Sequence, residues 1–96
     1  MLKEYRLIGN DLMDFRSMKL GLIKGTDIYN THSQKLGTTK LFEVYDDRYT
    51  MVCYIRGSEV YDNHNERLTS LFDIKEKFEA STSDINLVAL WYFFAR

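Results

Sequence analysis

The sequence predicts an α+β domain in which a mostly antiparallel sheet of four to five strands has two helices packed on one face. Three observations indicate this: a β-hairpin pattern in residues 40–57, apolar residues at helical spacing after Gly9, and a helix-capping pattern at Ser70. The predicted order of elements is β-α-β-β-β-α-β. We expect the 96 residues to form a single compact domain, 1–96, because domains usually contain about 100–150 residues.

The first forty residues predict a strand, a helix and a loop. Residues 2–8 fit a short strand that Gly9 ends. Asn10 or Asp11 is suited to cap a helix, whose apolar face is formed at spacings of three, three and four by Leu12, Phe15, Met18 and Leu22. Gly25 is expected to end this helix. Residues 26–39 are rich in Thr, Ser, Asn and Gly without periodicity, so we predict a loop there, and we find no internal repeat along the chain.

The clearest local pattern is KLFEVYDDRYTMVCYIRG, residues 40–57. Two runs rich in β-branched and aromatic residues flank Asp46-Asp47, which is typical of a β-hairpin. The predicted register pairs Val44 with Tyr49, and it places Cys53 on an apolar face directed to the core. The opposite face is predicted to hold two tyrosines and two arginines: Tyr45, Arg48, Tyr54 and Arg56. A third short strand, Glu59–Asp62, is expected after Gly57.

The last third predicts one helix and one ambiguous apolar element. Ser70 and Asp73 match the S-x-x-D capping pattern, and the apolar face of the helix would hold Leu71, Ile74 and Phe78. Residues 87–95 are all apolar, which fits either a central strand or a buried helix capped by Ser83 or Asp84. The aromatic and β-branched content favours the strand. A helix of these residues would rise only about 14 Å, so we predict no membrane span, which needs roughly 20 residues.

Catalytic and metal-binding patterns are weak. Asp62, His64 and Glu66 lie close together and His32 lies in the predicted loop, but no C-x-x-C or H-E-x-x-H is present. We therefore predict no metal and no cofactor. Glu43, His64 and either Arg48 or Arg56 are the residue types of an acid–base ribonuclease, although no spacing brings them together. Cys53 is interpreted as inert core filling. The chain is accordingly predicted not to be an enzyme.

Charge and cysteine content restrict the setting. The formal net charge is −1, which disfavours a general nucleic-acid binder, since such proteins carry a basic excess. The single cysteine cannot form an intramolecular disulfide, and Lys3, Glu4 and Arg6 interrupt any apolar leader. These features predict a reducing, cytoplasmic setting.

The polar face of the hairpin is the candidate site. Tyr and Arg dominate binding hot spots, so Tyr45, Arg48, Tyr54 and Arg56 are predicted to bind a protein partner of unknown identity. The alternatives are a nucleic-acid-binding module that uses the same face, a small ribonuclease-like enzyme, and a homodimer formed through a free strand edge.

A further prediction comes from composition alone. In length and composition, short proline-free chains rich in Tyr, Asn, Asp and Lys resemble the accessory proteins of bacteriophages and mobile elements. Many such proteins bind and inhibit a host or defence protein. This resemblance rests on composition and on no motif.

Overall fold

A computed structural model describes residues 3–96 of the chain. Ten strands form one sheet in the order β10-β1-β2-β3-β4-β5-β6-β7-β8-β9. All neighbours are antiparallel except β1 and β10, which are parallel. The elements are β1 (Tyr5–Ile8), β2 (Asp11–Asp14), β3 (Lys19–Lys24), β4 (Asp27–Asn30), β5 (Lys35–Lys40), β6 (Glu43–Asp46), β7 (Met51–Arg56), β8 (Glu59–Asp62), β9 (Arg67–Ser70), α1 (Leu71–Lys77), β10 (Phe78–Glu79) and α2 (Asp84–Phe94).

The sheet is built from a repeat of 16 residues. Strands of the same kind start 16 residues apart, and the letters EVYD occur at 43–46 and again at 59–62. We divide the sheet into a first repeat (5–20), a second (21–36), a third (37–52) and a fourth (53–68). The expectation of no internal repeat is therefore wrong.

Each repeat contains one tight turn of two residues and one longer turn of four. Among the described residues, positive φ occurs at two positions in each repeat. The first residue of the tight turn is Gly9, Gly25, Leu41 or Gly57, and the third residue of the longer turn is Ser17, Ser33, Tyr49 or Asn65. A positive φ at the first central residue is the type II′ hairpin turn, which favours glycine there. In the longer turns an Asp or Asn oxygen accepts backbone N–H bonds from two and four residues later, as Asp46 does from Arg48 and Thr50. The same bonds form at Asp14, Asn30 and Asp62.

The sheet curls around α2. Ten flat strands would span about 43 Å at 4.8 Å per step, yet the largest extent of the chain is 34 Å. The seven-residue α1, about 10 Å long, connects β9 at one end of the sheet to β10 at the other. Five successive residues of α2, 87–91, are at most 8% exposed, and five successive residues point to all sides of a helix. The concave inner face of the sheet and α1 therefore enclose α2.

The inner face supplies a fully buried residue at the same position of every repeat. Leu12, Ile28, Val44 and Val60 are all 0% exposed. The rings of Phe94 and Phe93 in α2 pack directly against Gly21 and Gly37 respectively, so a side chain at either position would collide with them. Thr39 is also buried, and its hydroxyl donates to Asn86 Oδ1 of α2 at 2.9 Å. Small inward residues therefore let α2 lie close to the middle strands.

The predicted sheet of four to five strands, with the order β-α-β-β-β-α-β and two helices packed on one face, is wrong. The helix predicted over residues 10–25 is instead β2, a longer turn and β3. Its expected apolar stripe does not exist: Leu12 is buried inside, while Phe15 and Met18 are 69% and 62% exposed in the turn. The loop predicted at 26–39 contains β4 and most of β5. Residue 2 of the predicted first strand lies outside the described residues.

Other local predictions are confirmed. Ser70 caps α1 by accepting the Asp73 backbone N–H at 3.1 Å, and Leu71 and Ile74 of its apolar face are buried. Phe78 is also buried, but it lies beyond the end of the helix, in β10. The strand Glu59–Asp62 is present as β8. The C-terminal element is the buried helix, not the strand that we favoured, and Ser83 caps it through the Asn86 N–H. Within residues 3–96 no helix is long and apolar enough to cross a membrane.

Candidate functional site

The convex outer face of the sheet is not covered by any element of residues 3–96. Paired residues of antiparallel strands point to the same face, so the register defines what this surface presents. One row across five strands runs Lys40, Glu43, Tyr54, Tyr61 and Arg67. The outer face is therefore a mixture of charges and tyrosines.

A strip of three tyrosines crosses β6, β7 and β8. The rings of Tyr54 and Tyr61 stack with centroids 5.6 Å apart. Tyr45 is the diagonal neighbour of Tyr54, because Glu43, two residues earlier on the same strand, pairs with Tyr54. The Tyr54 hydroxyl donates to Asn65 Oδ1 at 2.6 Å. The stacking and the hydrogen bond hold the Tyr54 ring in one orientation, so the strip presents a large aromatic surface.

Electrostatics differ between the repeats on this face. In the first, second and fourth repeats a cation forms a salt bridge with an acid eight residues earlier. The pairs are Lys19 with Asp11 at 3.2 Å, Lys35 with Asp27 at 3.4 Å, and Arg67 with Glu59 at 3.1 Å. The contact of Arg67 with Glu59 does not have hydrogen-bond geometry. In the third repeat the corresponding residue is Met51.

Glu43 consequently has a different partner from the acids at the same position of the other repeats, Asp11, Asp27 and Glu59. It accepts the Tyr45 hydroxyl at 2.6 Å, and this hydrogen bond raises the pKa of Tyr45. Tyr45 also pairs across the strands with Met51. The tyrosine strip and Met51 are thus uncharged and adjacent.

The third repeat also departs from the others at both turns. Leu41 and Phe42 form its tight turn and are 77% and 67% exposed, where the other tight turns are Gly-Asn, Gly-Thr and Gly-Ser. Tyr49, 68% exposed, holds the positive-φ position that is Ser, Ser or Asn elsewhere. Its ring lies 5.3 Å from Lys35 Nζ. Exposed large apolar or aromatic side chains therefore replace small ones at three turn positions of a single repeat.

Leu41 is strained as well as exposed. Its φ is 57°, and a bulky residue with positive φ is an outlier. Such a conformation costs of the order of 1–3 kcal/mol and concentrates at functional sites. Because the side chain is 77% exposed, burial inside this chain does not offset that cost.

The structure brings together three of the four residues predicted as the site. Tyr45, Tyr54 and Arg56 lie on the outer face of β6 and β7. Arg48 lies in the longer turn at the opposite end of these strands from Arg56. The predicted pairing of Val44 with Tyr49 is wrong, because the longer turn occupies 47–50 and Val44 pairs with Cys53.

The other chemical candidates do not assemble. Within residues 3–96, no group of three His, Cys, Asp or Glu side chains could hold a metal ion. Asp62 instead accepts the backbone N–H groups of His64 and Glu66, which lowers the pKa of its carboxyl. Glu43 is engaged with Tyr45, and no hydrogen bond within residues 3–96 joins it to His64. Cys53 is fully buried, and burial raises the pKa of its thiol to about 12.

Leu41, Phe42 and Tyr49 were missed as candidate site residues. Aligning the four repeats would have found them, because each differs from the residues at the same position of the other repeats. A comparison with protein-family models, with curated proteins and with solved structures found no match for the chain.

Proposed function

We propose that this chain is a small non-catalytic protein-binding domain that uses the outer face of its third and fourth repeats. The binding residues are Tyr45, Tyr54 and Arg56, with Arg48 contacting the partner from the longer turn. The observation that supports this most is the uncharged strip of Tyr45, Tyr54, Tyr61 and Met51 on an uncovered sheet face. The setting is cytoplasmic. The chain acts as an accessory protein, of the kind found in phages and mobile elements, that inhibits a host or defence protein.

Protein rather than nucleic acid is favoured as the partner by the acids on the same face. Asp27, Glu43 and Glu59 lie on the outer face directly across the tight turns from Lys24, Lys40 and Arg56. Phosphates approaching the tyrosines would meet these carboxylates at close range. Like charges oppose binding, whereas a protein surface can place cations or amide groups there. Tyr and Arg are also the residues enriched at protein hot spots.

The test is affinity capture from the cells in which the chain occurs, with and without nuclease treatment. The wild type is compared with the double variant Tyr54→Ala and Arg56→Ala. We expect one stoichiometric protein to be retained after nuclease treatment and to be lost with the double variant. The matched control is Tyr29→Ala with Arg6→Ala, which removes one tyrosine and one arginine from the outer face of the first two repeats.

Three results would overturn the proposal. Equal capture by the double variant and the wild type would remove the hairpin face from consideration. Capture of nucleic acid alone would indicate the nucleic-acid-binding alternative. Degradation of RNA that is lost on His64→Ala would indicate the ribonuclease-like alternative. Light scattering on the purified chain reports separately whether it forms a homodimer.

A further inference from the structure

The outer face of the sheet carries a groove at the same place in the second and third repeats. In the third repeat it is lined by residues 38–40, Tyr45 and Tyr49, and its volume is about 380 Å³. We call it the third-repeat groove. A smaller space of about 140 Å³ in the second repeat is lined by the residues 16 positions before residues 38, 40, 45 and 49, which are Leu22, Lys24, Tyr29 and Ser33. The groove is therefore a feature of the repeat, and the third repeat has the larger version.

In the fourth repeat the chain fills the corresponding space with one of its own side chains. The residue there that corresponds to Thr38 is Tyr54. Its ring stacks on Tyr61, the counterpart of Tyr45, with centroids 5.6 Å apart. Its hydroxyl donates to Asn65 Oδ1 at 2.6 Å. The fold thus already contains one example of a tyrosine ring seated in this position.

The small side chain of Thr38 leaves this space open in the third repeat. Thr38 pairs with Tyr45 across β5 and β6, so both side chains lie on the outer face. The Thr38 hydroxyl donates to the Thr26 carbonyl oxygen at 3.1 Å. Thr26 lies in the turn before β4, which adjoins β5 on the side away from Tyr45. The hydroxyl is therefore directed away from the Tyr45 ring, and the face of that ring toward Thr38 is not covered as Tyr61 is by Tyr54.

The two tyrosines that line the third-repeat groove are held in place by hydrogen bonds. Glu43 accepts the Tyr45 hydroxyl at 2.6 Å. Lys35 Nζ donates to the Tyr49 hydroxyl at 3.4 Å and lies 5.3 Å from the centroid of the Tyr49 ring. Ordering of side chains is a main cost of association. Because both rings are already oriented, a ring that enters between them does not have to order them.

The charges around the groove favour an uncharged occupant. The charged residues on the outer face of β4, β5 and β6 are two acids and two cations: Asp27, Glu43, Lys35 and Lys40. Lys35 pairs with Asp27 at 3.4 Å, and Lys40 lies opposite Glu43 in the register. Their formal charges sum to zero, so the groove has no excess charge that would attract an anion or a cation. A neutral aromatic ring matches this balance.

We propose that a tyrosine side chain of the partner protein occupies the third-repeat groove, with its ring stacked on Tyr45. The inference rests on the proposed protein-binding function and names the group that the partner contributes. Tyrosine is also among the residues that dominate binding hot spots and pair with hot spots across an interface.

A free small molecule fits the groove less well than a side chain of a protein. Small-molecule sites bury about 70–90% of the ligand surface, whereas Tyr49, one wall of this groove, is itself 68% exposed. The groove also lies on a convex face that no element of residues 3–96 covers. A protein that inserts a tyrosine brings the surrounding surface needed to cover the ring.

The first test is an NMR titration of the protein with N-acetyltyrosinamide, a soluble analogue of a tyrosine side chain in a protein. The variant Thr38→Tyr places in the groove the residue that the fourth repeat has there, and Leu22→Tyr is the matched control in the second repeat. We expect the analogue to shift the Tyr45 ring resonances upfield in the wild type and in Leu22→Tyr, because an aromatic ring stacks on them, and to leave them unchanged in Thr38→Tyr. Absence of shifts in the wild type, or larger shifts with adenosine monophosphate, would overturn the proposal.

The second test is capture of the partner from cells with the same two variants. Thr38→Tyr should lower the amount of retained partner about tenfold, because its own ring takes the place of a hot-spot side chain, and Leu22→Tyr should retain it. We expect the Tm of Thr38→Tyr to equal or exceed that of the wild type, since the new ring packs on Tyr45 as Tyr54 packs on Tyr61. The titration of the wild type does not depend on either variant.

The outcomes separate this inference from the proposed function. Full capture by folded Thr38→Tyr, together with loss of capture by Tyr54→Ala with Arg56→Ala, would overturn the groove and leave the protein-binding function standing. Full capture by both variants would overturn both. A homodimer in light scattering that Thr38→Tyr dissociates would also overturn the proposal, because the ring would then come from a second copy of the chain.

Discussion

Replacing Leu41 with glycine should stabilise the protein, although it removes a large side chain. Leu41 holds the type II′ position at φ 57°, and such strain costs about 1–3 kcal/mol. Glycine loses more backbone freedom on folding, which offsets roughly 0.5–1 kcal/mol of the gain. Little burial is lost, because the side chain is 77% exposed. The net effect is a gain of about 1 kcal/mol, which raises the Tm by about 4–8 °C in a domain of this size.

The assay is thermal and urea unfolding of wild type and variant under identical conditions. The matched control is Gly57→Ala in the equivalent turn of the fourth repeat. An added Cβ at Gly57 meets nothing within 4 Å, and φ there is +64°, so any loss of stability reports backbone strain alone. We expect Leu41→Gly to raise the Tm and Gly57→Ala to lower it. A lower Tm for Leu41→Gly together with a neutral Gly57→Ala would refute the strain argument.

Three further predictions test the core and the turns. Gly37→Ala should abolish cooperative thermal unfolding, because its Cβ would collide with the Tyr45 carbonyl and the Phe93 ring. Asp62→Asn should reduce the loss of stability in acid. In the folded wild type the pKa of the Asp62 carboxyl is lowered from 3.8. The ionised carboxylate therefore stabilises the fold above pH 3.8, and this stabilisation disappears as the pH falls through the lowered pKa. A titration of Tm against pH measures this. The Cys53 thiol, with a pKa of about 12 and no exposed surface, should not react with a disulfide reagent at pH 8 until urea unfolds the chain.

The elements that the sequence predicted are those specified by neighbouring residues. The cap at Ser70, the strand Glu59–Asp62 and the existence of a hairpin in residues 40–57 each depend on a few adjacent side chains, and all three are present, although the register of the hairpin is not the predicted one. The buried helix at the C-terminus was one of the two structures that the sequence predicted, although the strand was favoured. Its all-round apolar character arises because sheet and α1 enclose it, and a linear sequence does not distinguish that environment from a central strand.

The first forty residues were misread for a physical reason. Strands of four residues are too short to show a clear alternation, so Leu12, Phe15, Met18 and Leu22 gave a helical spacing by coincidence. Gly21 and Gly37 lie in strands where aromatic rings of α2 exclude side chains, and such glycines suggest loops when the tertiary contact is unknown. The 16-residue period was the missing signal, and it would have indicated both the number of strands and the unusual third repeat.

The binding account as a whole depends on the departures of the third repeat, and one variant removes them together. Leu41→Gly, Phe42→Ser, Tyr49→Ser and Met51→Lys restore residues found at the same positions of the other repeats. The measurement is the affinity of this quadruple variant for the captured partner, alongside its Tm. We predict a Tm at or above that of the wild type together with loss of partner binding. Unchanged affinity in the folded variant would contradict the account, because it would show that the third repeat has no special role in recognition.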